Sequence, residues 1–385
     1  RKYGYNVLVP EMPQREAIDL GLRYINNDMC YPAIVVVGQL LAAIKSGQCD
    51  PNNTSIMLFQ TCGACRATNY LNLMRQAVKD AGYPQIPVFA CWGMETDDFK
   101  LTTRCFVDVL KAAVYADLLM RLKNRMSPYE LEQGSVEKLY QDCLEICHQE
   151  IENGSYRQFC RNIKKITADF DRLPIDEKLW KPKVGIVGEI LVKYHPVANN
   201  HLERTLAEEG TEVVMPDLID FILYMAYDNI SRYELLDGKY SDKLKSRMFI
   251  QLVELFRRPM KKALEKSSHF TAPQSIDEIA NMAAKHVSLG NMAGEGWFLT
   301  GEMVKLLRNG VPNVVCLQPF GCLPNHITGK GMIRELRKNY PHSNLVTLDC
   351  DAGASEVNQL NRLKLMLSVA REQKPAEMKK NKSSR

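Results

Sequence analysis

No run of about 18 consecutive apolar residues occurs in this 385-residue chain, so no membrane-spanning helix is expected. No basic-then-apolar leader opens it either. The start at Arg1 reads as ordinary sequence, and the expectation is an internal module of a cytoplasmic protein. Charge of one sign is scarce: the formal net value is +5, and five cations (Lys374, Lys379, Lys380, Lys382, Arg385) crowd into the last dozen residues. Without them the body is close to neutral and shows no basic stripe of the kind that holds nucleic acid. A phosphate-binding loop of the Walker type is missing. Gly185 and Gly188 suggest part of a dinucleotide loop, but the full G-x-G-x-x-G pattern is absent. Cysteine is too thin for a disulfide scaffold, at twelve residues, yet too frequent to ignore.

What is present is an ordinary globular composition, 45% apolar and 25% charged, long enough for two domains. Short apolar strands alternate with helices, which predicts parallel crossovers and an α/β fold. In the first stretch Pro32 opens a helix that Gly47 ends, residues 55–60 form a strand, Thr68 caps a helix ended by Gly82, and residues 88–91 form a second strand. Residues 102–170 carry a helical period and predict three helices, a bundle or lid. A second α/β stretch has strands at 184–187, 212–215, 313–317 and 345–348. It has helices at about 202–209, across 217–309, from Ile327 and from Ser355. The expected organisation is an N-terminal α/β lobe (1–101), a helical segment and linker (102–180), a C-terminal α/β lobe (181–372) and a basic flexible tail (373–385).

Three loops place cysteines at element junctions beside special residues. They are Asn27-Asp28-Met29-Cys30-Tyr31-Pro32, then Thr61-Cys62-Gly63-Ala64-Cys65-Arg66, and the loop from Cys316 through Gln318, Gly321, Cys322 and Asn325 to His326. The second and third follow predicted strands, and ligands of open parallel sheets collect beyond strand carboxyl ends. All three run toward helix N-termini, whose free N–H groups suit an anionic group such as a thiolate-ligated iron–sulfur cluster. Each loop has a plainer reading. Cys30 can fill a helix start, Cys62 and Cys65 can form a redox dithiol, and Cys316 can be core. Cys62, Cys65, Cys316 and Cys322 together can form a zinc site. Cys49, Cys105, Cys143, Cys147, Cys160 and Cys350 read as reduced core thiols.

At these loops the chain resembles the iron–sulfur component of the 2-hydroxyacyl-CoA dehydratase superfamily. It is most similar to the C-terminal module of large activase-related fusion proteins. The segments that carry the resemblance are NNDMCYPAIVVVGQLLAAIKSG, QTCGACRATNYLNLMRQA, VGIVGEILVKYHPVANN, GEGWFLTGEM, LQPFGCLPNHITGKGM and GASEVNQLNRLKLML. They span nearly the whole chain. The resemblance implies two Rossmann-like lobes with a metal cluster in the cleft between them. It implies that Cys30, Cys65 and Cys322 hold a four-iron four-sulfur cluster. Cys62 and Cys316 are the nearest spare thiols for the superfamily's double-cubane eight-iron nine-sulfur variant, although the position of Cys62 is usually glycine there.

The resemblance further implies that an ATP-dependent iron–sulfur activator, separate or fused, delivers a low-potential electron that passes to a bound substrate. That substrate is a hydroxyacyl thioester in the dehydratases and a small reducible molecule in the double-cubane proteins. A homodimer or heterodimer is expected, with no nucleic-acid or membrane partner. Gln318, Asn325 and His326 are the candidate catalytic residues lining the cleft, with Glu295 and Lys330 behind them. Arg66 is the one basic residue assignable to a CoA site. The competing readings are a zinc-stabilised or cofactor-free module that docks a fused ATPase, and a thiol-disulfide enzyme using Cys62 and Cys65.

Overall fold

The computed structural model describes residues 2–10, 14–61, 63–90 and 102–373. Cys62 and the basic tail expected after residue 373 lie outside the described residues. The fold is α/β, with two parallel sheets among many helices. The first sheet pairs β1 (Ile56–Leu58) with β2 (Val88–Ala90), Ile56 opposite Val88. Three helices accompany it: α1 (Gln14–Tyr24), α2 (Tyr31–Lys45) and α3 (Tyr70–Asp80). Pro32 sits in the first turn of α2, where a missing N–H costs nothing, and no residue side chain caps it. The helix predicted to start at Thr68 begins later: Arg66–Asn69 form a separate tight turn, and Asn69 precedes α3. Thr68 instead ties that turn to its own loop, its hydroxyl donating to the Cys65 carbonyl at 2.8 Å.

Residues 102–171 form α4 (Thr103–Met126), α5 (Ser135–Asn153) and α6 (Tyr156–Asp171), the three helices expected. The Thr102 hydroxyl accepts the Cys105 N–H and the Ser155 hydroxyl that of Gln158, so each N-cap occupies an otherwise unpaired donor. Beyond them run β3 (Lys183–Gly188), α7 (Ile190–Tyr194), α8 (Leu202–Glu208) and β4 (Glu212–Val214). Four more helices follow: α9 (Leu218–Leu235), α10 (Tyr240–Leu264), α11 (Ile276–Ala283) and α12 (Gly296–Arg308). The chain ends with β5 (Asn313–Pro319), α13 (Ile333–Asn339), β6 (Asn344–Cys350) and α14 (Glu356–Glu372).

The second sheet has the order β4-β3-β5-β6, all parallel. Its central strands read KVGIVG and NVVCLQP, nearly continuous apolar runs, because both faces are covered. Val184, Ile186, Val315 and Leu317 face a core shared with Ile34, Leu41 and Met74 of α2 and α3. Val187, Val314 and Cys316 face the opposite core, shared with Trp297 and Phe298 of α12 and with α4 and α6. The 102–171 helices therefore pack into the same core as the sheet's second face. At the ends of the central strands Gly188 pairs with Leu317 at φ +143, and a Cβ there would meet the Leu317 carbonyl oxygen at 2.5 Å. Only glycine permits that approach.

A buried ionic network joins the helices behind this second face. Arg257 of α10, fully buried, pairs with Asp217 and with Asp220, the latter at 2.7 Å. Asp220 also holds Lys305 of α12 at 2.6 Å, and Arg121 of α4 reaches Asp217. The Asp117 carboxylate accepts the N–H groups of Leu218 and Ile219, the first turn of α9. Removing one partner of such a network strands desolvated charge. Replacing Arg257 with Met is expected to lower the unfolding free energy in urea by about 3 kcal/mol or more. A loss below about 1 kcal/mol would show that the network relaxes without it.

Candidate functional site

In the β4-β3-β5-β6 order, the chain leaves β3 toward one edge and β5 toward the other, so the strand order reverses between β3 and β5. Ligands of open parallel sheets bind in the crevice that such a reversal opens beyond the strand carboxyl ends. Glu189 follows β3 directly, and Cys322 lies three residues past the end of β5. Cys65 ends the loop that follows β1, and Cys30 is the residue before α2.

Backbone contacts lock these loops together. The Tyr31 N–H donates to the Phe320 carbonyl at 3.0 Å, joining the first loop to the third, and the Phe320 N–H donates to the Cys350 carbonyl at 2.8 Å. The Arg66 guanidinium donates to the Asp28 carbonyl, joining the second loop to the first. Gly321 turns at φ +69, and a Cβ on it would stand 3.0 Å from the Cys30 Cα and 3.1 Å from Arg66 Nη1. A Cβ at Gly294 would lie 3.7 Å from Cys65 Sγ and 2.8 Å from Pro324 Cγ, so Gly294 sits against both the second loop and the third.

Cys30 and Cys322 are buried and Cys65 is half-buried; all three are free thiols. Burial pushes each thiol up from its ordinary value. Glu295 and then Glu189 add to the rise at Cys322; at Cys30 and Cys65 the glutamates add less than the hydrogen bonds from Tyr70 and Thr61 take away. The Tyr70 hydroxyl stands 3.1 Å from Cys30 Sγ, and Arg66 also favours the Cys30 thiolate. Cys65 likewise pushes up Cys322.

The two carboxyls are buried themselves. Glu189 accepts the Val192 N–H at 2.8 Å, and Glu295 accepts the Ile190 N–H at 3.0 Å. Burial raises both, and Glu189 is pushed up to about 8 with Glu295 adding to the rise. Lys193 opposes this weakly, because its ammonium is committed to Glu302 at 2.8 and 3.1 Å. The result is a largely dry locus with three protonated thiols. A metal arriving there must displace those protons, since thiolate is the ligand.

Among the described residues, no group of three or more His, Cys, Asp or Glu stands ready for a single metal ion. A single zinc ion with bonds of about 2.3 Å draws its sulfurs to within about 4 Å of one another. A polynuclear cluster is wider and lets its thiol ligands stand further apart.

The other predicted residues go elsewhere. Cys316 is fully buried in β5, its thiol pushed up to about 12 by burial and then by Glu302, with Asn325 Oδ1 3.7 Å away. It faces the Lys193–Glu302 pair rather than the three thiols. The Gln318 amide donates to the Pro319 carbonyl at 3.1 Å, and its Oε1 is sealed without a hydrogen bond. Asn325 fastens the loop, its amide donating to the Leu317 carbonyl at 2.9 Å. His326 is exposed, and exposed Lys330 pairs with Asp349 at 2.8 Å. Glu295 is at the locus as a buried carboxyl. Sequence reasoning missed Glu189 and Tyr70; the signal for Glu189 was a carboxylate directly after an apolar strand.

Beside the Cys65 loop opens a cleft of about 1120 Å³ between α3, α9 and α10. Gly63, Ala64 and Gly294 connect it to the thiols, and Phe221, Met225 and Phe249 give it an apolar wall. Gln318, Asn325 and His326 are not among its lining residues. Comparison with family models, curated proteins and solved structures finds no match.

The thiol environment predicts reactivity. In metal-free folded protein at pH 7, iodoacetamide should label Cys30, Cys316 and Cys322 at least about tenfold more slowly than half-buried Cys49. The rate at Cys65 should climb as pH rises above 9. Mass-mapped labelling in which Cys322 reacts as fast as Cys49 would contradict the buried locus.

Proposed function

We propose that this protein is an iron–sulfur reductase or reductive dehydratase component, built as two Rossmann-like lobes with its metal site in the cleft between them. Cys30, Cys65 and Cys322 hold a four-iron four-sulfur cluster as thiolates. The observation that supports the reading is that the three loops bearing these cysteines are joined to one another through Tyr31, Arg66 and Gly321, beyond the strand-order reversal. The donor set suits such a group: soft thiols, shielded from water, with backbone from three interlocked loops around them. A cluster held there supplies one-electron reduction at low potential.

The chain's own residues shape that environment. Tyr70 hydrogen-bonds Cys30 Sγ and so favours its thiolate form. Burial raises the proton affinity of Glu189 and Glu295, which limits negative charge beside the thiolates. Cys316 turns toward Glu302, which supports a three-thiolate site over one that recruits Cys316 for a double cubane. Three thiolates leave one metal corner open to substrate. The cleft is roomy, since ligand pockets commonly measure about 300–1,000 Å³, and this favours an organic substrate over a very small one. The chain has no phosphate loop of its own, so the electron comes from an ATP-dependent activator on another chain or another part of the polypeptide.

Iron and sulfide analysis of protein purified without oxygen tests the reading. The expected result is about four irons and four sulfides per chain. Cys30→Ser, Cys65→Ser and Cys322→Ser should each lose most of the iron, while Cys316→Ser keeps it. About eight irons per chain would instead support the double-cubane form. Colourless protein holding zinc alone, or no metal, would overturn the proposal in favour of an interaction module.

A further inference from the structure

The cleft beside the Cys65 loop has a charge pattern that the proposed function leaves unused. Three cations line it from three helices: Arg75 on α3, Arg232 on α9 and Lys245 on α10. Arg75 is fixed to the wall, its Nε and Nη2 donating to the Val88 carbonyl at 3.2 and 3.1 Å. Exposed Lys245 has a loose partner in Asp242 at 3.6 Å. Arg232 is exposed at the far end of α9. Among the described lining residues the one acid is Asp228.

Asp228 does not cancel this positive charge. Burial holds its carboxyl well above the usual carboxylate range, against the weaker opposing influences of Tyr224, Trp297 and Arg232. Its Oδ1 is sealed from solvent beside Tyr224 and Trp297. Among the described lining residues the cations therefore outnumber the acids. The wall between the cations is apolar: Leu71, Phe221, Ile222, Met225 and Phe249. An apolar trough lined by guanidinium groups selects a ligand that is both apolar and anionic, because each guanidinium is desolvated least when it keeps a charged partner.

We propose that the cleft binds an organic anion with an apolar body. Its charge meets Arg232 and Arg75, and its apolar part lies on α9 and α10. The inference rests on reading this cleft as the entrance for the substrate of the thiol site. It deepens that reading by naming the ligand's charge and character.

The test is equilibrium binding of two fluorescent probes to the full chain purified without metal. One is anilinonaphthalene sulfonate; the other is phenylnaphthylamine, the uncharged analogue lacking the sulfonate. The sulfonate should bind about tenfold more tightly, the worth of one charge-assisted hydrogen bond. Arg75→Gln with Arg232→Gln should remove that preference, and Asp228→Asn should retain it. Ala226→Trp, which fills the cleft, should exclude both probes; Ile222→Trp serves if the first variant does not fold by circular dichroism. Equal affinity for the two probes overturns the proposal. So does a preference that survives the double arginine variant, or binding that survives filling of the cleft and disappears with Leu244→Ser and Met248→Ser on the exposed face of α10. Iron uptake is scored on the same preparations. A chain that takes up iron without probe preference loses this inference and keeps the cluster reading. A chain that prefers the sulfonate and takes up no iron does the reverse.

Discussion

Parallel pairing of β3 with β5 is the constraint on which the rest depends. Parallel neighbours cannot be joined by a tight turn, so every connection crosses the sheet as a long segment and both faces become covered. Here the segment between β3 and β5 is long enough to hold β4 and six helices. The reversal of strand order between these two strands leaves their carboxyl ends as the one edge that no crossover closes. Gly188 brings the two strand ends into contact where any side chain would collide with Leu317. Glu189 and Cys322 project from that edge, and the loops carrying Cys30 and Cys65 fold over it.

Two kinds of buried charge support this edge. Behind the sheet, Arg257, Asp217, Asp220 and Lys305 pair with one another and fix α9, α10 and α12 in one arrangement. Such pairs add little net stability over an apolar core, but they penalise any packing that separates them. At the edge itself the charges are unpaired. Glu189 and Glu295 lie together, and their mutual repulsion and burial raise the affinity for a proton. The same surroundings raise the thiols. The first set specifies the fold. The second keeps the locus neutral until something positive enters it.

Much of this was legible in the sequence. The alternation of apolar strands with helices gave the α/β class, and strands and helices lie close to the predicted segments because glycine and proline punctuate them. The three loops that bear Cys30, Cys65 and Cys322 were legible because each stands at a junction between elements. Side-chain direction was not legible. Cys316 and Gln318 alternate with Leu317 along β5, and nothing local says which face meets the loops. After β5 the chain enters a wide turn over Asn325–Gly329, which carries Asn325 inward to the Leu317 carbonyl and leaves His326 outside. Thr68 reads as a helix cap, but the extra turn at Arg66–Asn69 moves the start of α3 to Tyr70. Glu189 escaped notice because a glutamate in a loop ordinarily stays in water, and only tertiary packing buries it.

The central claim is that Cys30, Cys65 and Cys322 together hold iron. Anomalous diffraction at the iron absorption edge, from crystals grown without oxygen, tests it most directly. The account predicts a compact group of iron peaks bounded by those three sulfurs, with Cys316 outside the group. Iron density ligated by other cysteines, or three free thiols with no iron between them, would contradict it.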